Sequence, residues 1–88
     1  MPEKTTEERK KEVSGALVLI KTKLGEKYKV LEKLKETVGV TEAYLVDDHY
    51  DVVAKIVSKS VEGTKNIIVH NIRNMDGVLS TTTMMILE

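Results

Sequence analysis

The chain contains no cysteine, so it can form neither a disulfide nor a thiolate-bound metal site. It also lacks any apolar run near the roughly 20 residues that cross a membrane. Its charged amino-terminal end does not resemble a signal peptide. Together these absences favour a cytoplasmic protein with no membrane partner.

Neither sign of charge is in excess, because 14 Lys and Arg balance 14 Asp and Glu. A balanced chain has no general attraction for nucleic acid, so direct nucleic-acid binding is not expected. With 88 residues there is room for one domain. A domain this small buries only about 60–65% of its unfolded surface. Oligomerisation is therefore the expected additional source of stability.

Residues 1–13 are almost entirely charged or polar, with only Met1 and Val13 substantially apolar. Such a segment cannot bury enough surface to order itself. We expect a tail, or a short helix that orders only on a neighbour, followed by one domain over residues 14–88.

Five consecutive apolar residues from Ala16 to Ile20 predict a strand that is covered on both faces. After a break at Gly25, a helix is predicted from apolar positions at three- and four-residue spacing. These positions are Val30, Leu31, Leu34 and Val38, with Gly39 ending the helix.

The stretch from Val46 to Val57 places a polar turn between two apolar runs, which predicts a hairpin joining strands over 41–46 and 51–58. Ser60 is the expected N-cap of a second amphipathic helix that ends at Gly77. β-branched residues over 78–88 predict the last strand.

This order predicts an α+β, ferredoxin-like βαββαβ fold, a four-stranded antiparallel sheet with two helices on one face. The other sheet face carries apolar residues and would be a large exposed patch in a monomer. Dimerisation through this face is expected, because it would bury the patch.

Several short pieces, in their order and spacing, resemble the ligand-binding module of the Lrp/AsnC regulators, the RAM domain (regulation of amino-acid metabolism). The pieces are residues 16–20, Val38-Gly39-Val40, residues 50–55, Ile72-Arg73, and Gly77-Val78 followed by Thr81 and Thr83. They span nearly the whole chain. Full-length members resemble a winged helix-turn-helix followed by this module. Residues 1–13 are too few for one, so the resemblance implies a stand-alone RAM protein without its own DNA-binding domain.

The resemblance implies dimers of facing sheets that assemble into closed rings, octamers or decamers. It also implies an amino-acid effector at contacts between dimers, near the hairpin turn and the last strand. Co-assembly with full-length Lrp/AsnC regulators, altering their DNA binding, is a variant of this expectation. The implied ligand-binding residues are Asp48, His49, Tyr50, Asp51, Thr81 and Thr83.

These residue types suit a free amino acid. Asp48 or Asp51 could accept from the ammonium through a charge-assisted bond, while Thr hydroxyls and backbone N–H groups could hold the carboxylate. One departure from the family pattern is Asp48, which stands where relatives usually have Gly. Its carboxylate adds negative charge near the expected ligand carboxylate, so the ligand differs from the standard one or the site is degenerate.

Two other functions compete with effector binding: an assembly protein with a vestigial pocket, and a small enzyme on the same fold. The sequence shows no nucleophile with a base, no phosphate loop and no metal-ligand spacing. Asp47, Asp48, Asp51 and His49 are cation-ligand types, but a polar hairpin turn is the commoner explanation. A non-enzyme without metal or cofactor is therefore expected.

Overall fold

The computed structural model describes residues 14–87, and the predicted amino-terminal tail lies outside them. The elements are β1 (Ser14–Thr22), α1 (Lys27–Lys35), β2 (Val40–Leu45), β3 (Val52–Ser58), α2 (Val61–Ile67) and β4 (Val78–Ile86), with a π-helical turn at Ile68–Ile72 directly after α2. All strand pairs are antiparallel, in the order β2-β3-β1-β4. The predicted ferredoxin-like fold is confirmed.

The hydrophobic core lies between the helices and one face of the sheet, because successive side chains of a strand point to opposite faces. In β1, Ala16, Val18 and Ile20 are fully buried, whereas Leu17 and Leu19 stay partly accessible. The other fully buried apolar side chains are Val30, Leu34, Val52, Ala54, Ile56 and Ile72.

The first helix ends earlier than the sequence pattern predicts. α1 stops at Lys35, and the Thr37 hydroxyl donates to the Lys33 carbonyl at 2.7 Å. Such a side-chain bond offers the backbone an alternative to another helical turn. Val38 consequently lies beyond the helix with 85% of its surface exposed. The prediction that Val38 belongs to the buried face of α1 is wrong.

The second helix begins as predicted but does not continue as a regular α-helix. The Ser60 side chain accepts from Gly63 N–H at 2.9 Å and caps α2. The π-helical turn then follows, closed by a 2.9 Å hydrogen bond from Arg73 N–H to the Ile68 carbonyl. This turn buries Ile68 and Ile72. The expectation of one uniform helix is wrong here, since a segment of low helix propensity departs from α geometry at little cost.

The face of the sheet away from the helices, here called the outer face, is covered by no other helix or strand within residues 14–87. Its apolar members are Leu17, Leu19, Tyr44, Val53, Val57, Met84 and Ile86. Glu42 adds a polar cluster on the β2 side, pairing with Lys55 at 3.8 Å and accepting from the Tyr44 hydroxyl at 2.7 Å. That hydrogen bond raises the pKa of Tyr44.

Three loops meet at one end of the sheet. Lys23 N–H donates to the Gly77 carbonyl at 2.8 Å, which joins the loop after β1 to the loop before β4. Asp51 N–H donates to the Ile20 carbonyl at 2.9 Å, which joins the β2–β3 loop to the same end of β1. This end therefore gathers most of the polar groups that the sequence singles out.

Gly39 is expected to accept a side chain only with a loss of stability. Its φ is 94°, and an added Cβ would lie 2.5 Å from Ile67 Cδ1. Gly39→Ala should therefore lower the free energy of unfolding by roughly 2–4 kcal/mol, from left-handed backbone strain plus overpacking. Urea unfolding measures this loss.

Gly25→Ala is the matched control, because Gly25 has φ 81° but no atom within 4 Å of an added Cβ. It should cost only the backbone penalty, roughly 1–2 kcal/mol. Adding Ile67→Val, which removes Cδ1, should recover part of the Gly39→Ala loss. Equal losses for the two glycine variants would contradict the proposed clash.

Candidate functional site

The predicted hairpin forms, and its loop presents two side chains almost fully to solvent. Val46 N–H donates to the Asp51 carbonyl at 2.9 Å and extends the β2–β3 pairing beyond the strand ends. At the tip, the Asp48 and His49 side chains are 81% and 88% exposed, with Oδ1 and Nε2 separated by 3.7 Å. An exposed pair at this distance contributes little stability. Both groups therefore remain accessible to a ligand.

Asp51 is engaged within the chain. Its Oδ2 accepts from Thr22 N–H at 2.8 Å and from the Thr22 hydroxyl at 3.1 Å. The backbone hydrogen bond, with smaller help from the hydroxyl and from Lys27 and Lys21, holds the pKa of the carboxyl below its ordinary value, against the opposing effect of burial. Asp51 thus fixes the base of the hairpin loop to the end of β1.

Tyr50 connects the hairpin loop to the last strand across the outer face. Its hydroxyl lies 3.1 Å from Thr82 Oγ1, within hydrogen-bonding distance. Tyr50 precedes β3 and Thr82 belongs to β4, while β1 runs between these strands. The side chain therefore spans β1. Thr82 pairs with Leu19 in the sheet, which places both on the outer face.

Thr81 and Thr83 lie on the opposite, helix-covered face. Thr83 pairs with the fully buried Val18, and Thr81 pairs with the fully buried Ile20. Directly opposed residues of an antiparallel pair share a face. Thr83 Oγ1 is buried and has no hydrogen-bond partner within the described residues. A buried hydroxyl left unpaired costs free energy that a ligand could recover.

Two open clefts flank β4 on its helix side. One, here called the edge groove, has a volume of about 290 Å³ and is lined by Lys65, Ile68, Val69, Arg73, Thr83 and Met85. The other, of about 270 Å³, is lined by Arg73, Val78, Leu79, Ser80 and Thr81. Arg73 borders both, together with Thr83 in the first cleft and Thr81 in the second.

The predicted ligand residues thus separate into two sets within one chain. One set, at the hairpin loop and outer face, is Asp48, His49 and Tyr50. The other set, Thr81 and Thr83, borders the two clefts on the helix side of β4. Sequence reasoning did not identify Thr22, Thr82 or Arg73 as neighbours of the predicted ligand residues. Strand alternation already places Thr82 opposite to its two neighbours. The long-range partner of Asp51 left no sequence signal.

Neither a metal site nor a membrane span emerges in the part of the chain that the structure describes. Over residues 14–87, no three His, Asp or Glu side chains group in a way that could hold a metal ion. None of the helices in that same stretch is long and apolar enough to cross a membrane.

Replacing Asp51 should alter how stability depends on pH. Its folded-state pKa lies below the unfolded value of about 3.9. Ionised Asp51 therefore stabilises the fold near neutral pH, and this contribution disappears as the pH falls from about 4 through the folded-state pKa. Asp51→Asn should be less stable than the native chain near neutral pH, with the gap closing in acid. Urea unfolding at several pH values measures it.

Asp48→Asn is the matched control, because the Asp48 carboxylate is exposed and lies in the same loop. Its stability should run parallel to that of the native chain across the pH range. A gap for Asp51→Asn that persists unchanged in acid would contradict the assigned role of the charge.

Comparison with curated proteins finds regulators of transcription. The regulatory protein AsnC of Escherichia coli K12 is 31% identical over 58 residues, covering 66% of this chain and 38% of AsnC. The HTH-type transcriptional regulator FL11 of Pyrococcus furiosus is 34% identical over 73 residues, covering 83% of this chain and 48% of FL11. The chain thus spans less than half the length of these relatives.

Solved structures share the fold closely. FFRP-DM1 superposes with a TM-score of 0.80 at 32% identity, covering 83% of this chain and 97% of that one. The transcriptional regulator NMB0573 of Neisseria meningitidis, solved as a complex with L-Met, reaches 0.77 over 100% of this chain and 58% of that one. At 8% identity, this second likeness shows the fold alone.

A sequence profile of the family covers nearly the whole chain. It is the profile of the Lrp/AsnC ligand binding domain, and it matches residues 15–88. The resemblance noted in the sequence is thereby confirmed. The chain belongs to the Lrp/AsnC family.

Proposed function

We propose that the protein is an effector-binding and oligomerisation module of transcription regulation, and that an amino acid is its effector. The observation that carries this proposal is the separation of its ligand groups. The Asp48 and Tyr50 groups lie on the loop and outer face, while Thr81 and Thr83 lie on the helix-covered face of the edge strand β4. A contact between subunits would bring the two sets to one ligand, as in an effector site between dimers.

The outer face supports assembly into dimers. Seven apolar side chains lie there, and within residues 14–87 no helix or strand covers them. Exposed apolar patches of this kind mark contact surfaces. Facing sheets would bury these side chains in both copies. Glu42 and Lys55 stand beside the apolar area, so their opposite charges can set the register of the two sheets. Dimers then assemble into a ring, an octamer or a decamer.

Asp48 is the acceptor that the loop leaves for a ligand ammonium. The Asp51 carboxylate already binds Thr22, whereas the Asp48 side chain is 81% exposed. Among residues 14–87, every residue with positive φ is a glycine. Asp48 therefore occupies the position usually held by Gly without left-handed strain, and it adds a carboxylate there. NMB0573, which shares the fold, was solved as a complex with an amino acid, L-Met.

Regulation follows from mass action. A ligand that binds across a contact between subunits stabilises the assembly containing that contact. The proposed route to DNA runs through co-assembly with full-length Lrp/AsnC regulators. The two curated relatives are named as regulators, which favours regulation over catalysis. The cytoplasmic location stays a prediction.

Assembly through the outer face should depend on Leu19. Leu19→Glu would place a charge in the middle of the apolar area, and a buried unpaired charge is costly. Multi-angle light scattering should show the native protein larger than a dimer and the Leu19→Glu protein reduced to monomers. Val38→Glu is the control, because Val38 is apolar and exposed but lies off the sheet. A native monomer at micromolar concentration would refute the proposed assembly.

Amino-acid binding should raise the midpoint of thermal unfolding. Screening the twenty amino acids should find at least one that shifts it, and Asp48→Asn should weaken that binding roughly ten- to hundredfold through loss of a charge-assisted bond. Asp47→Asn is the control, since it removes an equal charge from the same loop. An assembled protein that responds to none of the twenty would favour an assembly protein with a vestigial pocket.

A further inference from the structure

We infer that the edge groove binds a small aliphatic carboxylate and that this ligand needs no ammonium group. The inference goes beyond the proposed function, because this ligand differs from the amino-acid effector and binds within one chain rather than between subunits. The edge groove lies between the π-helical turn and β4, and it belongs to one chain.

The charge of the edge groove is of one sign. Lys65 and Arg73 line it, and among the described residues 14–87 no acidic side chain does. Within residues 14–87, neither cation forms an ion pair: the pairs there engage Lys29, Lys35, Lys55 and His49. A guanidinium binds a carboxylate through two parallel hydrogen bonds. A ligand ammonium would meet only positive charge.

The rest of the lining is mainly apolar. Ile68, Val69 and Met85 supply aliphatic and thioether surface. A volume of about 290 Å³ lies at the lower end of the range for ligand sites. Methionine adapts its shape to irregular apolar ligands. The edge groove therefore fits a short, branched hydrocarbon chain rather than a polar or charged one.

Thr83 supplies a polar group in need of a partner. Its Oγ1 is buried and makes no hydrogen bond within the described part of the chain. A carboxylate oxygen seated beside Thr83 would accept from this hydroxyl after rotation about χ1. Such a bond would recover the cost of the unpaired group.

The π-helical turn shapes the edge groove. The Arg73 N–H to Ile68 carbonyl bond closes the wide turn, and both residues line the edge groove. π-helical turns are frequent at functional sites because they displace the residues that follow. Here the turn sets where the Arg73 side chain leaves the helix, between the edge groove and the neighbouring cleft.

Methyl NMR of the intact protein, labelled at Ile, Val and Met, tests the inference. Three ligands with similar branched hydrocarbon chains serve as probes: ketoleucine, leucine and isoamylamine. Ketoleucine should shift the methyl signals of Ile68, Val69 and Met85. Leucine should bind there at least about tenfold more weakly, and isoamylamine should leave these signals unchanged.

Substitutions separate the contributions to binding. Arg73→Gln should weaken ketoleucine binding at least about tenfold, and the near-isosteric Thr83→Val should weaken it severalfold. Lys59→Gln removes an exposed cation outside the edge groove and should have no effect. Light scattering and thermal unfolding establish that each variant retains its assembly and fold.

The outcomes distinguish this inference from the proposed function. Suppose that free leucine shifts the signals of the hairpin loop and that no probe moves the methyl signals of the edge groove. This result would overturn the inference and leave the proposed function standing. Isoamylamine binding as tightly as ketoleucine would overturn the inference too. The inference would also be overturned if the methyl signals showed that another copy of the chain covers the edge groove. Absence of binding by every probe and every amino acid would refute both.

Discussion

The structure depends on the pairing of β1 with β3 on one side and with β4 on the other. One face of β1 supplies the centre of the core, and the other supplies the centre of the outer face. A strand with apolar side chains on both faces is stable only when both are covered. The helices cover one face. In the proposed dimer, the sheet of a second copy would cover the remaining face.

The position of β1 also explains how functional groups are distributed. Its carboxyl end receives the hairpin loop through Asp51 and the β4 loop through Lys23. Tyr50 spans β1 to reach Thr82, while Thr81 and Thr83 are turned to the other side by strand alternation. The central strand thus brings loop and edge strand together at one end of the molecule and divides their side chains between two faces.

Local pattern predicted the order of elements, the Ser60 cap and the uncovered face, because each depends on neighbours in sequence. It failed at Val38, where a hydroxyl bond from Thr37 competes with the next helical turn. It failed again at the π-helical turn, since apolar spacing cannot distinguish a wide turn from a regular one. The Thr22–Asp51 contact joins residues 29 positions apart, and no local rule specifies such a pair.

The Thr22–Asp51 contact also bears on the entropy of binding. Two hydrogen bonds, with the pairing of Val46 to Asp51, hold the base of the loop before any ligand arrives. A loop already ordered at its base loses less conformational entropy on binding. A larger part of the free energy of each contact therefore contributes to affinity. At the proposed effector site, selectivity would then depend on the groups that the loop presents rather than on loop closure. Change at Asp48 and His49 could retune the ligand and leave the scaffold intact.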